Sequence, residues 1–228
     1  MTTLGLLLEK PLEADYPRLA SIGEQLSDES LGRVDSIRDE QIQALVQQLF
    51  PQPQPAGVRH VGFAPVGPET NTAQLCLDVA TVLSQIGSHD VGLIDATLRS
   101  VPLPTQLGMP AARGSETEWQ ISPRLWMVPR RTWVDDSGQG IWDPSLTRLR
   151  QATMEYDYSV LCFDPISWVT ARISQICDGV VMVLTANKTR RLVAAQMQEQ
   201  LQRARVPVLG TVLAERRFPV PEGLYRNL

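Results

Sequence analysis

The spacing of apolar positions changes near residue 57, and that change divides the chain in two. From Asp35 to Phe50, Ile37, Ile42, Leu45, Val46 and Leu49 recur three to five residues apart, the spacing of one face of an amphipathic helix. Asp35 or Ser36 stands where the first turn needs a cap. Pro51-Gln-Pro-Gln-Pro55 then removes backbone donors and fixes φ, so it reads as an extended linker. This predicts a polar helical segment over residues 1–50, a Pro-rich linker over 51–57 and a core domain over 58–228.

Within the core domain, short apolar runs alternate with helical spacing. Val58–Ala64, Val91–Asp95, Leu125–Val128, Tyr158–Phe163, Gly179–Thr185 and Val208–Leu213 read as strands. Thr72–Ile86, Leu146–Met154, a short piece near Val169–Ile176 and Thr189–Ala204 read as helices. Strands with no polar face must be covered on both sides, which predicts a doubly wound, mostly parallel α/β sheet with helices on both faces. Such sheets take their ligand at the carboxyl ends of the strands. Residues 100–144 are rich in Pro, Gly and Trp. Trp126, Trp133 and Trp142 there either fill an irregular core or form a binding patch rimmed by Arg130-Arg131 and Asp135-Asp136.

Composition then narrows the function. A chain of 228 residues suits one α/β domain. With 21 Lys+Arg against 25 Asp+Glu it lacks the cationic surplus that bulk nucleic-acid binding requires. Cys76, Cys162 and Cys177 form no CxxC pair, so there is no zinc framework and the usage fits a reducing compartment. No apolar stretch approaches the ~18 residues of a membrane span, and the start lacks a basic leader, so a cytoplasmic protein is expected. Only Lys10 and Lys188 are lysines, so no lysine between them can neutralise a phosphate.

That constraint falls on the first strand-turn-helix unit. A phosphate loop needs glycines for close backbone approach, a lysine for the β- and γ-phosphates and a Ser/Thr hydroxyl for Mg²⁺. The corresponding stretch is Gly67-Pro68-Glu69-Thr70-Asn71-Thr72.

Four stretches in order make the chain resemble the bacterial tyrosine kinases of exopolysaccharide and capsule synthesis, within the MinD/ParA-like group of P-loop ATPases. They are Gly67–Thr72, Leu93-Ile94-Asp95-Ala96-Thr97-Leu98-Arg99, Tyr156–Pro165, and Asp178–Arg190 followed by Gly210–Ala214. The resemblance covers about residues 38–228 and implies a P-loop NTPase-like fold. It also implies vestigial nucleotide-binding positions at Gly67, Pro68, Glu69, Thr70, Asn71, Thr72 and Arg99 and vestigial carboxylates at Asp95 and Asp164, with no catalytic residue assigned. If Mg²⁺ binds, Thr72 and Asp95 are its implied ligands.

Against that pattern, Asn71 stands for the loop lysine, Thr70 for a glycine, Thr97 for a second carboxylate, Cys162 for the strand-end aspartate and Ala214 for an asparagine near the base. Asp164 either replaces the lost carboxylate or caps the following turn. Lys188, Arg130, Arg131 and Arg190 are the remaining candidates to face an anion. The ring-assembly arginines of the helix before the first strand are also missing: Glu40 remains, but Gln43 and Val46 follow it. Tyr225 alone stands near the end, so no tyrosine cluster offers an autophosphorylation substrate.

The expected function is a catalytically degenerate, binding or regulatory subunit of exopolysaccharide biosynthesis and export. No cofactor is then needed. The resemblance implies as partner a membrane-anchored polysaccharide chain-length regulator or related export protein, or an oligomer with itself or with active kinase relatives. Peripheral placement at the inner membrane would come through such a partner. The alternatives are a tyrosine kinase or ATPase that still holds ATP and Mg²⁺, and a MinD/ParA-type positioning protein.

Overall fold

The computed structural model of the chain describes residues 5–7, 27–50, 57–68, 70–98, 101–109, 118–134 and 143–214. Its strands are β1 Gly5–Leu7, β2 His60–Pro65, β3 Val91–Ala96, β4 Trp119–Ser122, β5 Leu125–Val128, β6 Tyr158–Phe163, β7 Gly179–Thr185 and β8 Val208–Ala214. Its helices are α1 Ser27–Leu49, α2 Ala73–Ile86, α3 Leu103–Gln106, α4 Asp143–Met154, α5 Trp168–Ile173 and α6 Arg191–Arg203. The strands form one sheet in the order β1-β8-β7-β2-β6-β3-β5-β4. Every pairing is parallel except that of β4 with β5 at one edge.

Alternation along each strand feeds two cores. Val61 and Phe63 of β2, Val160 and Cys162 of β6, and Val181 and Val183 of β7 join α1 and α2 on one face. Ala64, Leu161, Phe163, Val180 and Met182 join α4, α5 and α6 on the other. Burying each large aliphatic side chain contributes roughly 1.5–3 kcal/mol, which is why the apolar runs became strands. In α2 the buried positions Leu75, Cys76, Val79, Ala80 and Leu83 follow helical spacing.

Two glycines let aromatic rings lie against the sheet. A Cβ on Gly62 would stand 2.1 Å from Phe163 Cε2, and one on Gly92 would stand 2.5 Å from Tyr156 Cδ2. Both glycines occupy central strands, where the missing side chain is the room the ring takes.

The strands expected from sequence are present to within two residues at each end. The helix expected from Asp35 begins eight residues earlier, so Asp35 and Ser36 lie inside α1 and do not cap it. Residues 27–36 carry only Leu31 and Val34 as apolar residues, too few to set a stripe. The predicted face is right: Ile42, Leu45, Val46 and Leu49 are all buried in the first core. Residues 51–56 lie outside the described residues. On either side of them, β1 pairs with β8 and α1 packs on α2, so residues before and after the linker share one sheet and one core. The two short elements in the irregular region, β4 and α3, had no sequence signal.

Order along the sheet locates the ligand edge. The chain moves from β2 through α2 to β3 on one side, whereas β6 crosses past β2 to β7 on the other. That reversal opens a crevice at the carboxyl ends of β2 and β6.

Replacing Gly62 by Ala should destabilise the protein by about 1–3 kcal/mol, because the new Cβ displaces the Phe163 ring from a filled core. Equilibrium urea unfolding measures this, and adding Phe163→Leu should restore part of the loss. Equal stability of Gly62→Ala and wild type would contradict the packing described.

Candidate functional site

At that crevice lies a cleft of about 620 Å³, lined by the loop after β2 and by residues following β3 and β6. Thr70, Asn71, Thr72, Thr97, Cys162 and Asp164 all contribute to its wall. These six positions, singled out in the sequence, face one cleft.

The loop that should cradle phosphate is held by its own side chains. Thr70 N donates to Gly67 O at 3.1 Å, closing a tight turn. The Thr70 hydroxyl pairs with that of Thr185 at the end of β7, 2.8 Å away, and Thr70 is buried. Asn71 Oδ1 accepts from Ala73 N at 2.9 Å, so the residue in the lysine position satisfies a first-turn donor of α2. Thr72 precedes α2 and is buried, its hydroxyl 3.4 Å from the Cys162 thiol. Glu69 lies outside the described residues.

Asp95 is fully buried at the end of β3 and is engaged by the loop that follows it. Its Oδ1 accepts from Thr97 N at 3.0 Å and from Thr97 Oγ1 at 2.5 Å, and its Oδ2 accepts from Leu103 N at 2.9 Å. The indole of Trp133 donates to the Asp95 carbonyl at 3.0 Å. Burial pushes the Asp95 carboxyl above the usual carboxylate range, against the opposing hydrogen bonds of Thr97 and Leu103 and the charge of Arg130. Asp95 does not line the cleft. Asp164, also buried, accepts from Leu98 N at 2.5 Å and so ties the end of β6 to the loop after β3. The turn that follows Asp164 is capped by Ser167, which accepts from Thr170 N at 3.2 Å.

These donors do not fit a Mg²⁺ ion. Mg²⁺ wants carboxylate and hydroxyl oxygens in a near-octahedral shell. Here the Thr72 hydroxyl meets a soft thiol, and the pairing of Asp95 with Cys162 across β3 and β6 sets one carboxylate beside a sulfur. Among the described residues no group of three or more His, Cys, Asp or Glu side chains could hold a metal.

The candidate cations are elsewhere. Lys188 is exposed in the turn after β7, next to Asn187 at φ 60°, and does not line the cleft. Arg130 Nη1 donates to Thr97 O at 3.2 Å, behind the loop, and Arg131 and Arg190 are exposed outside the cleft. Among the described residues no Lys, Arg or His lines the cleft. Arg99 lies outside the described residues.

Of the three tryptophans weighed from sequence, Trp133 is a core side chain, Trp126 is half-buried and Trp142 lies outside the described residues. Among the described residues the exposed tryptophan is Trp168 at the start of α5, which the sequence did not distinguish from the others.

A mostly parallel sheet with a strand-loop-helix at its switch point defines a doubly wound α/β domain. No family model matches the chain. No curated protein matches it by sequence either. Solved structures do match by fold. The kinase domain of the Escherichia coli tyrosine kinase ETK superposes with a TM-score of 0.60 at 16% identity, covering 81% of this chain and 79% of that one. The BceF tyrosine kinase domain gives 0.59 at 18% identity, covering 78% of each chain. A ParA family ATPase from Chlorobium tepidum TLS gives 0.56 at 17% identity, covering 75% of this chain and 79% of that one. The chain shares the fold of bacterial tyrosine kinase domains and ParA-family ATPases, as the four motifs implied.

Two outcomes follow from the loop and from Asp95. Asn71→Ala should cost about 0.5–1.5 kcal/mol as a lost hydrogen bond to Ala73 N, whereas Asn71→Asp should retain the stability, both read by urea unfolding. For Asp95 the folded state favours the protonated carboxyl. Its stabilising contribution is therefore complete below the ordinary pKa of about 4 and is lost as pH rises through the raised folded value. The unfolding free energy of wild type minus that of Asp95→Asn should shrink across that rise. A difference that grows with pH would contradict the assignment.

Proposed function

We propose that the protein is a catalytically degenerate relative of the bacterial tyrosine kinases, acting as a binding or regulatory subunit in exopolysaccharide or capsule biosynthesis and export. One observation carries this reading. The groups that would clamp a triphosphate and its metal in such a loop are here either replaced or engaged within the chain: the replacements Thr70 and Asn71 bond to Thr185 and Ala73, and the retained Thr72 and Asp95 bond to Cys162 and to Thr97 and Leu103. Phosphoryl transfer depends almost wholly on positioning and electrostatic stabilisation around Mg²⁺. A site with no lysine in the loop, a threonine at the second carboxylate position and a thiol at the strand-end aspartate position has lost both parts. The scaffold is retained: Thr70, Asn71 and Thr97 lie in loops, and Cys162 packs as a small side chain in the first core.

On this reading the partner is a membrane-anchored chain-length regulator or related export protein, or an active kinase relative in a mixed oligomer. The polysaccharide assignment rests on the sequence resemblance. A second reading, an ATP·Mg²⁺-binding kinase or ATPase, is favoured by one feature: the 620 Å³ cleft is still open at the ligand edge. Its size falls in the range of small-molecule sites.

Thermal unfolding distinguishes the two. ATP with Mg²⁺ should leave the midpoint of the full chain unchanged, because only a ligand that prefers the folded state raises it. A saturable rise that is abolished by Thr72→Ala would establish the second reading instead.

A further inference from the structure

One wall of the cleft holds a pair of thiols that the nucleotide reading does not use. Cys162, near the end of β6, lines the cleft with its Sγ 3.4 Å from Thr72 Oγ1. Cys76 N donates to Thr72 O at 2.9 Å, so Cys76 stands one helical turn beyond Thr72 on the same face of α2. That face packs on β6, and the Cys76 and Cys162 thiols share a hydrogen bond. Both cysteines are buried in the first core and neither is in a disulfide.

Two thiols in contact can hold one soft ion between them, and the number of donors selects which ion. Structural Zn²⁺ takes four ligands. Among the described residues no group of three or more His, Cys, Asp or Glu could hold a metal, and the third cysteine, Cys177, packs in the other core. That leaves an ion satisfied by two sulfurs, and Cu(I) is the soft ion of this kind that thiolates select. Burial, and then the bond to Cys162, hold the Cys76 thiol well above the usual thiol range. A coordinated ion deprotonates its thiols outright, so that protonation is no bar to binding. The thiolate charge is partly offset by its place, since Cys76 lies in the first turn of α2, where the helix favours negative charge. The Thr72 hydroxyl is also within reach to donate to the Cys162 sulfur.

We propose that Cys76 and Cys162 form a two-coordinate site for a soft monovalent cation, Cu(I), which enters through the cleft. On binding, two S–H bonds break and two S–Cu bonds form. Both protons leave to solvent, and no electron is transferred. The inference is independent of the proposed function, since it requires neither nucleotide nor a protein partner.

The test is anaerobic titration of the reduced full chain with Cu(I) in competition with a colorimetric Cu(I) chelator, bathocuproine disulfonate. Wild type should take up one ion per chain, and Cu(I) should raise its thermal midpoint, as a ligand of the folded state does. Cys76→Ser and Cys162→Ser should each lower the affinity by about a hundredfold or more, since losing even a partner outside the ligand shell costs about 10–100-fold. Cys177→Ser, which alters the thiol of the other core, should leave binding unchanged. Thermal midpoints measured without the ion establish that the variants are folded. X-ray absorption at the copper edge reads the site in wild type and needs no variant: two sulfur neighbours are expected. A single sulfur, or a shell of nitrogen and oxygen, overturns the proposal. So does a midpoint that falls with Cu(I), binding undiminished by either Cys76→Ser or Cys162→Ser, or binding that Cys177→Ser lowers equally.

Discussion

A single buried carboxylate organises the ligand edge of this sheet. Asp95 sits where β3 ends, and the chain must leave the core there without stranding polar groups. Its two oxygens take the donors of Thr97 and Leu103, its carbonyl takes the Trp133 indole, and Asp164 on the neighbouring strand takes Leu98 N. The loop after β3 and the turn after β5 are thereby fastened to one residue. Burying a carboxylate is costly unless its hydrogen bonds are met, so the surrounding geometry has little freedom to change. A group so fully occupied has few lone pairs left for a metal.

The same economy runs through the phosphate-loop position. A lysine there would bring a charge needing an anion to balance it, whereas an asparagine that bonds Ala73 N is complete by itself. A hydroxyl pair such as Thr70–Thr185 contributes about 0.5–1.5 kcal/mol with no ligand present. The loop therefore draws its stability from within the chain, while a working loop draws part of its stability from the nucleotide.

How much of this was legible in the sequence depends on the range of the interactions. β2, β3, β6 and β7 were visible because burial on both faces leaves unbroken apolar runs. The buried face of α1 was visible through Ile42, Leu45, Val46 and Leu49, but not its polar first turns. The strands β1 and β4 were not, since three or four residues acquire strand geometry only from a neighbour. At the site, the positions Thr70, Asn71, Thr72, Asp95 and Cys162 could be placed by motif order. Their partners could not, because Thr70 meets Thr185 and Thr72 meets Cys162 across long stretches of chain. Asp164 was expected to serve either the metal or its own turn, and its bond to Leu98 belongs to another loop altogether.

The edge strand β1 carries a consequence for the order of assembly. Gly5, Leu6 and Leu7 pair with Thr211, Val212 and Leu213, so the first of the described strands has its partner in the last of them. The sheet interior, from β2 to β7, can form while β8 is still being made, but this edge cannot. Contacts that join such distant residues require a large loop to close first, and they form late. A growing chain therefore carries β1 without this partner until β8 has been made. Gly5 and the short span of three residues limit how strongly that strand can pair elsewhere meanwhile.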